Sequence, residues 1–226
     1  PPLRIAVAAN FTPVLKKLMP DFTAKTGNNG QVINGASGAI YLQIKHGAPF
    51  DLFLSADTRR PAQLEQDGLT LKESRKTYAL GQLAFYSSKD KLKSTASLRN
   101  ILTKPIDRLA IANPDIAPYG KAAEESLAYL GLWATYQNKL IKGHNVSQTF
   151  AQVRSKAVSS GFVAHSQLVL NNLTGVIVPS GYHQPIKQQF VILKSSANQA
   201  NAKRFSEFLL SSAVQQKISE YGYAKP

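Results

Sequence analysis

Extended apolar runs alternate with helical patterns along this chain, and the turn between them is repeatedly small, polar or glycine-rich: LRIAVAANFT (3–12), GASGAIYLQ (35–43), NPDIAPYGKAAEE (113–125) and HNVSQTFAQ (144–152). Strand-to-helix alternation of this kind points to an α/β chain in which a largely parallel sheet is flanked by helices. In such folds, ligands are met by loops at the carboxyl ends of the strands. The first turn of each helix also has N–H donors with no carbonyl partner one turn back and carries a fractional positive charge. Four such starts make an oxyanion receptor the natural expectation.

The boundaries follow from spacing. Val14, Leu15, Leu18, Met19 and Phe22 place an apolar stripe on one face of a first helix, with Pro13 in its first turn and Gly27 at its end. Asn10 and Thr12 compete for its cap. QVIN then reads as a short strand, Gly38–His46 as a helix stopped by Gly47, and Leu52–Leu54 as a strand covered on both faces. A helix follows near Pro61. Tyr78–Ser87 reads as one longer strand, after which the alternation restarts with LAIAN, a helix from about Tyr119, KLIKG, a further helix, GFVAH and GVIVP. KQQFVILK (187–194) is suited to return the chain, and Ala197–Leu210 with Ala213–Tyr221 read as helices packed on the first half. Two lobes are expected: residues 1–80 with 195–226, and 81–194, joined by crossings near 78–87 and 187–194.

Composition removes several classes of function. Hydrophobic residues make up 43% of the 226 residues and charged ones 18%, as in ordered globular chains. No apolar run approaches the roughly 20 residues of a membrane-spanning helix, so no direct membrane insertion is expected. The chain contains no Cys, which removes thiolate catalysis and thiolate metal sites. Its formal charge of +14, from 27 Lys+Arg against 13 Asp+Glu, is spread over short groups such as Lys16-Lys17 and Arg59-Arg60. Without a dense basic run interleaved with aromatics, nucleic acid is not the expected partner.

The segments AANFTPVLKKL, NGASGAIYLQIKHGAPFDLFLSAD, NPDIAPYG and NVSQ resemble the periplasmic molybdate-binding proteins of bacterial ABC transporters. The resemblance implies a two-lobed periplasmic-binding-protein fold that traps molybdate, and tungstate as well, between its lobes for delivery to a membrane permease. It implies Ala9 and Asn10 as ligand contacts at the first helix start, Ser37 at the second, Tyr119 at the third and Val146 at the fourth. Many members of that family place a ligand-binding Tyr at the position equivalent to Ala164; here Tyr119 resembles a subgroup that supplies the phenol from the third helix start. The expectation is a mature periplasmic monomer without a signal peptide, without a cofactor and without a metal bound other than as its oxyanion.

Molybdate is a bare dianion near neutral pH, so its oxygens accept hydrogen bonds and donate none. Backbone N–H groups at 9, 10, 37, 119 and 146, with the Asn10 amide, Ser37 hydroxyl and Tyr119 phenol, would supply donors without a formal countercharge. Four helix starts at about +0.5 each supply at most roughly two units of compensating charge. Lys121 is expected to face solvent, and Asp115, in Asn-Pro-Asp, to shape a turn. Monohydrogen phosphate needs an acceptor for its proton and is disfavoured; sulfate shares charge and shape with molybdate and stays open as an alternative ligand. Gly35-Ala36-Ser37-Gly38 lacks the second Gly of a nucleophile elbow, having Ala39 there. His46, His144, His165 and His183 are dispersed, and Asp51 and Asp57 suit a turn and a helix cap, so no enzyme is expected. A regulator's effector-binding module, the remaining alternative, would need a DNA-reading domain in addition.

Overall fold

The opening run Leu3–Ala8 is a strand, β1, buried along almost its whole length in the computed structural model, which describes residues 1–226. After it come α1 (Thr12–Thr26), β2 (Gly30–Gly35), α2 (Ser37–Lys45), β3 (Leu52–Leu54), α3 (Arg59–Gln66) and β4 (Lys76–Gly81). The middle of the chain forms β5 (Leu83–Ser87), α4 (Leu98–Thr103), β6 (Leu109–Ala112), α5 (Pro118–Tyr129), α6 (Trp133–Tyr136), β7 (Leu140–Gly143), α7 (Val146–Arg154), β8 (Ser160–Ala164), α8 (His165–Leu170) and β9 (Val176–Ile177). The end supplies β10 (Ile186–Ile192), α9 (Gln199–Leu210) and α10 (Ser212–Glu220). Two units result: Pro1–Leu80 with Lys187–Pro226, and Gly81–Ile186.

The first unit holds a five-stranded sheet in the order β2-β1-β3-β10-β4. β1 runs parallel to β2, pairing Leu3 with Gly30 through to Ala8 with Gly35, and parallel to β3, pairing Val7 with Leu54. β10 is antiparallel to β3, with Phe190 opposite Leu54 and Ile192 opposite Leu52. That pairing moves the expected boundary near 194 back to 186/187, because hydrogen bonding ties β10 into the first sheet. Pro13 does sit in the first turn of α1, and Gly27 closes the helix at φ 71°, a left-handed conformation that suits glycine. The stripe of α1 is covered from the chain's end: the Phe22 ring lies edge-on to Phe205 and Phe208 at 5.3 and 5.4 Å.

The second unit holds the order β7-β6-β8-β5-β9. β6 is parallel to β7 and to β8, whereas β5 runs antiparallel to β8 over five pairs from Leu83–Ala164 to Ser87–Ser160. The strand expected over 78–87 is therefore two strands in two different sheets, broken at Gln82. Both halves are apolar, and no proline marks the break. Ala84, Tyr86, Ala110, Val153, Val158, Val163 and Leu168 form one side of this unit's core. The first turn of α5 rests directly on the end of β6: a Cβ added at Gly120 would lie 2.0 Å from the Ala112 carbonyl oxygen, so only glycine fits. α4, α6 and α8 have 6, 4 and 6 residues and were not expected, being too short to establish a helical period.

Candidate functional site

In the first unit, the register that aligns Ala8 with Gly35 and Val7 with Leu54 brings the turns after β1, β2 and β3 out along the same carboxyl edge. Ala9, Asn10 and Ser37 leave from adjacent turns there. The Ala9 N–H donates to the Gly35 carbonyl at 2.9 Å, so this amide joins two turns. α1 is preceded by Phe11, with no side-chain cap; Thr12 Oγ1 instead donates to Asn34 Oδ1 at 2.6 Å. Asn10 is not a cap either. It is buried, and the Tyr223 hydroxyl donates to its Oδ1 at 2.6 Å, which turns the opposite, NH2, side of the carboxamide away from that contact.

Ser37 opens α2 and is fully buried. The Ala56 N–H donates to its Oγ at 2.9 Å, so the hydroxyl oxygen is an acceptor toward the protein and its proton is directed to another acceptor. The carbonyl of the same peptide group, Ser55 C=O, accepts the Tyr78 phenol proton at 2.9 Å. Close by, Asp57 accepts from the Ser55 hydroxyl at 2.8 Å and pairs with Arg60 at 2.6 Å, neutralising a cation that is 8% exposed. The edge nearest Ser37 is thus built from dipoles and a closed ion pair. Asp51 is structural: it accepts from Arg4 N at 2.7 Å and from Ser196 Oγ at 2.6 Å.

In the second unit, Tyr119 and Val146 occupy the first turns of α5 and α7, which follow the neighbouring parallel strands β6 and β7. Asn113 N–H donates to Gly143 O at 2.8 Å, which binds the two turns together. Both residues are buried, at 3% and 4% exposure. Asn145 caps α7 by accepting from Gln148 N at 2.9 Å. Gln167 ties the third turn in, donating through Nε2 to Val146 O at 3.0 Å and accepting from Ala164 N at 2.9 Å. The Ala164 position thus carries a backbone link to Gln167. Asp115 is exposed and its N–H donates to Asn113 Oδ1 at 3.0 Å, an Asx turn as expected. Lys121 is 56% exposed and pairs with Glu124 at 2.9 Å.

Sequence reasoning located the turns but missed Ala56, Tyr78, Gln167 and Tyr223. Ser55-Ala56-Asp57 carried the same signal as the other turns, a small polar segment after an apolar strand. Tyr223 carried none, since it meets Asn10 across 213 positions of chain.

The family profile described as bacterial extracellular solute-binding protein matches residues 3–224. The molybdate-binding protein ModA of Rhodobacter capsulatus is 38% identical over 219 residues, covering 96% of this chain and 86% of that one. The solved periplasmic molybdate-binding protein of Azotobacter vinelandii superposes with a TM-score of 0.93 at 35% identity, covering 99% of each chain. The sulfate-binding protein SubI of Mycobacterium tuberculosis shares the fold alone, with a TM-score of 0.78 at 13% identity over 98% of this chain and 85% of that one. Two mixed five-stranded sheets flanked by helices, with neutral polar residues at their strand-to-helix turns, and similarity along nearly the whole length place this chain in the bacterial extracellular solute-binding proteins, in the molybdate-binding family.

Proposed function

We propose that the chain binds molybdate, and tungstate with it, as a solute-binding protein of the periplasm that hands the oxyanion to an ABC transporter permease, and that it does so as a monomer without cofactor or catalysis. The observation that carries this reading is the full-length similarity to molybdate-binding proteins at 35–38% identity. In this reading the Asn10 amide, the Ser37 hydroxyl and first-turn amides of the first unit form one half of the receptor. Tyr119 and the Val146 amide of the second unit form the other. Two chain crossings, at 80/81 and 186/187, act as the hinge, and anion binding to both halves favours a closed state that the permease reads.

The donor set explains the ligand class. A fully deprotonated dianion needs only donors, and the Asn10 and Ser37 oxygens already accept from Tyr223 and Ala56. Monohydrogen phosphate brings a proton that needs an acceptor, and leaving that proton unpaired in a buried site costs about 1–3 kcal/mol.

A thermal-shift panel with molybdate, tungstate, sulfate, phosphate and chromate tests the reading. A ligand at 100 times its dissociation constant adds about 2.7 kcal/mol of stability, which is readily measured. Molybdate and tungstate should raise the melting temperature at micromolar concentration and phosphate should not. A rise with sulfate alone would assign the site to sulfate, and no rise with any of the five would discard oxyanion binding.

A further inference from the structure

We infer that Tyr78 is a positioning residue for the oxyanion, acting on the Ser37 hydroxyl through the Ser55–Ala56 peptide group; the inference rests on the proposed role of Ser37 as a ligand. The direction of every bond in this chain is fixed by chemistry. A carbonyl only accepts, so the Tyr78 phenol gives its single proton to Ser55 O at 2.9 Å. With that proton committed, Gln188 Nε2 is the donor in its 3.0 Å contact with the phenol oxygen. A backbone N–H only donates, so at the far end of the same peptide Ala56 gives its proton to Ser37 Oγ at 2.9 Å. Ser37 retains its own proton for the anion.

The result is a one-way series, Gln188 to Tyr78 to the 55–56 peptide to Ser37, in which each dipole presents its positive end toward the ligand hydroxyl. Tyr78, Gln188, Ser55 and Ser37 are all fully buried, so water screens none of these steps. In a low-dielectric interior, bonds aligned in this way polarise one another, by roughly 10–30% per bond. Burial also holds the Tyr78 phenol well above its ordinary titration range, so its proton is present at any working pH. Phe11 stacks edge-on against the ring at 4.9 Å and fixes its plane. Tyr78 and Gln188 lie on β4 and β10, the strands by which the chain leaves and re-enters the first unit.

The test is a double-mutant cycle read by calorimetric titration of the full chain with molybdate: wild type, Tyr78→Phe, Ser37→Ala and the pair. Tyr78→Phe keeps the ring and removes the proton donor, and should weaken molybdate binding roughly three- to tenfold, the worth of a typical hydrogen bond. In the Ser37→Ala background the same change should alter affinity by less than about twofold, because the hydroxyl it acts on is gone. A phenol that merely fills the core would lower affinity by the same factor in both backgrounds, and that result, or an unchanged affinity in Tyr78→Phe, overturns the inference while leaving Ser37 as a ligand. An unchanged affinity in Ser37→Ala overturns the assignment of Ser37 itself and the relay with it. If Tyr78→Phe does not fold, Gln188→Met removes the first donor and keeps the phenol. It should show a smaller loss that again disappears in the Ser37→Ala background, and equal losses in both backgrounds would reject the relay.

Discussion

Asn10 and Ser37 are uncharged, and in the proposed receptor each acts toward the anion as a hydrogen-bond donor. Tyr223 takes up the Asn10 carbonyl oxygen and Ala56 N–H takes up the Ser37 oxygen. Asn10→Ala and Ser37→Ala should therefore each cost about 1–3 kcal/mol of molybdate binding by calorimetry, and Tyr119→Phe less if its backbone amide also contributes. Unchanged affinity in both alanine variants would reject the first-unit half of the receptor. The strand-to-helix turns that carry these residues were legible from the alternation of patterns, and the resemblance to the molybdate-binding family is what singled out Asn10 and Ser37 within them. The contact of the Ala9 amide with Gly35 was not legible, since only the sheet register shows it. A different residue contributes to the pH dependence of stability: His165, whose Nδ1 is buried without a partner, has its pKa lowered by that burial from 6.5. The unfolded chain binds this proton at higher pH than the folded one, so stability is lost as pH falls through 6.5 toward the lowered value. His165→Gln should flatten the melting temperature between about pH 7 and pH 5 relative to wild type, and an identical slope would assign the acid sensitivity elsewhere.

The elements that matter most are the short turns that dock a helix onto the end of a strand, and α5 shows how little room they leave. With the Gly120 Cα seated against the Ala112 carbonyl, even a methyl group forces α5 off β6. Gly120→Ala should cost roughly 1–3 kcal/mol of folding stability through overpacking and should weaken molybdate binding as well, because Tyr119 moves with the helix. Retained stability with full affinity would show that α5 is not held by this contact. Long elements were readable from periodicity: α1 and its glycine stop fall where the apolar stripe placed them. The helices of four to six residues were not, and neither was the break between β4 and β5, because Leu80-Gly81-Gln82-Leu83 looks locally like one continuous strand. What separates the two strands is pairing, with β4 on the edge of one sheet and β5 inside the other.

Across the whole molecule, the chain leaves its first unit after Leu80 and returns at Lys187, so each unit completes its own sheet. The two-part α/β architecture was legible because the alternation restarts in mid-sequence. The extent of each unit was less so, because β10 reads as a connector in sequence and acts as a sheet strand in structure. The proposed receptor joins two half-sites that hold a dianion by neutral donors, although the chain as a whole carries a formal charge of +14. A crystal structure of the chain with molybdate bound decides the matter. It should show one anion whose oxygens lie within hydrogen-bond reach of Asn10, Ser37, Tyr119 and Val146, with no Lys or Arg side chain touching it. An anion gripped by a lysine or arginine, or one bound to a single unit far from these turns, would contradict it.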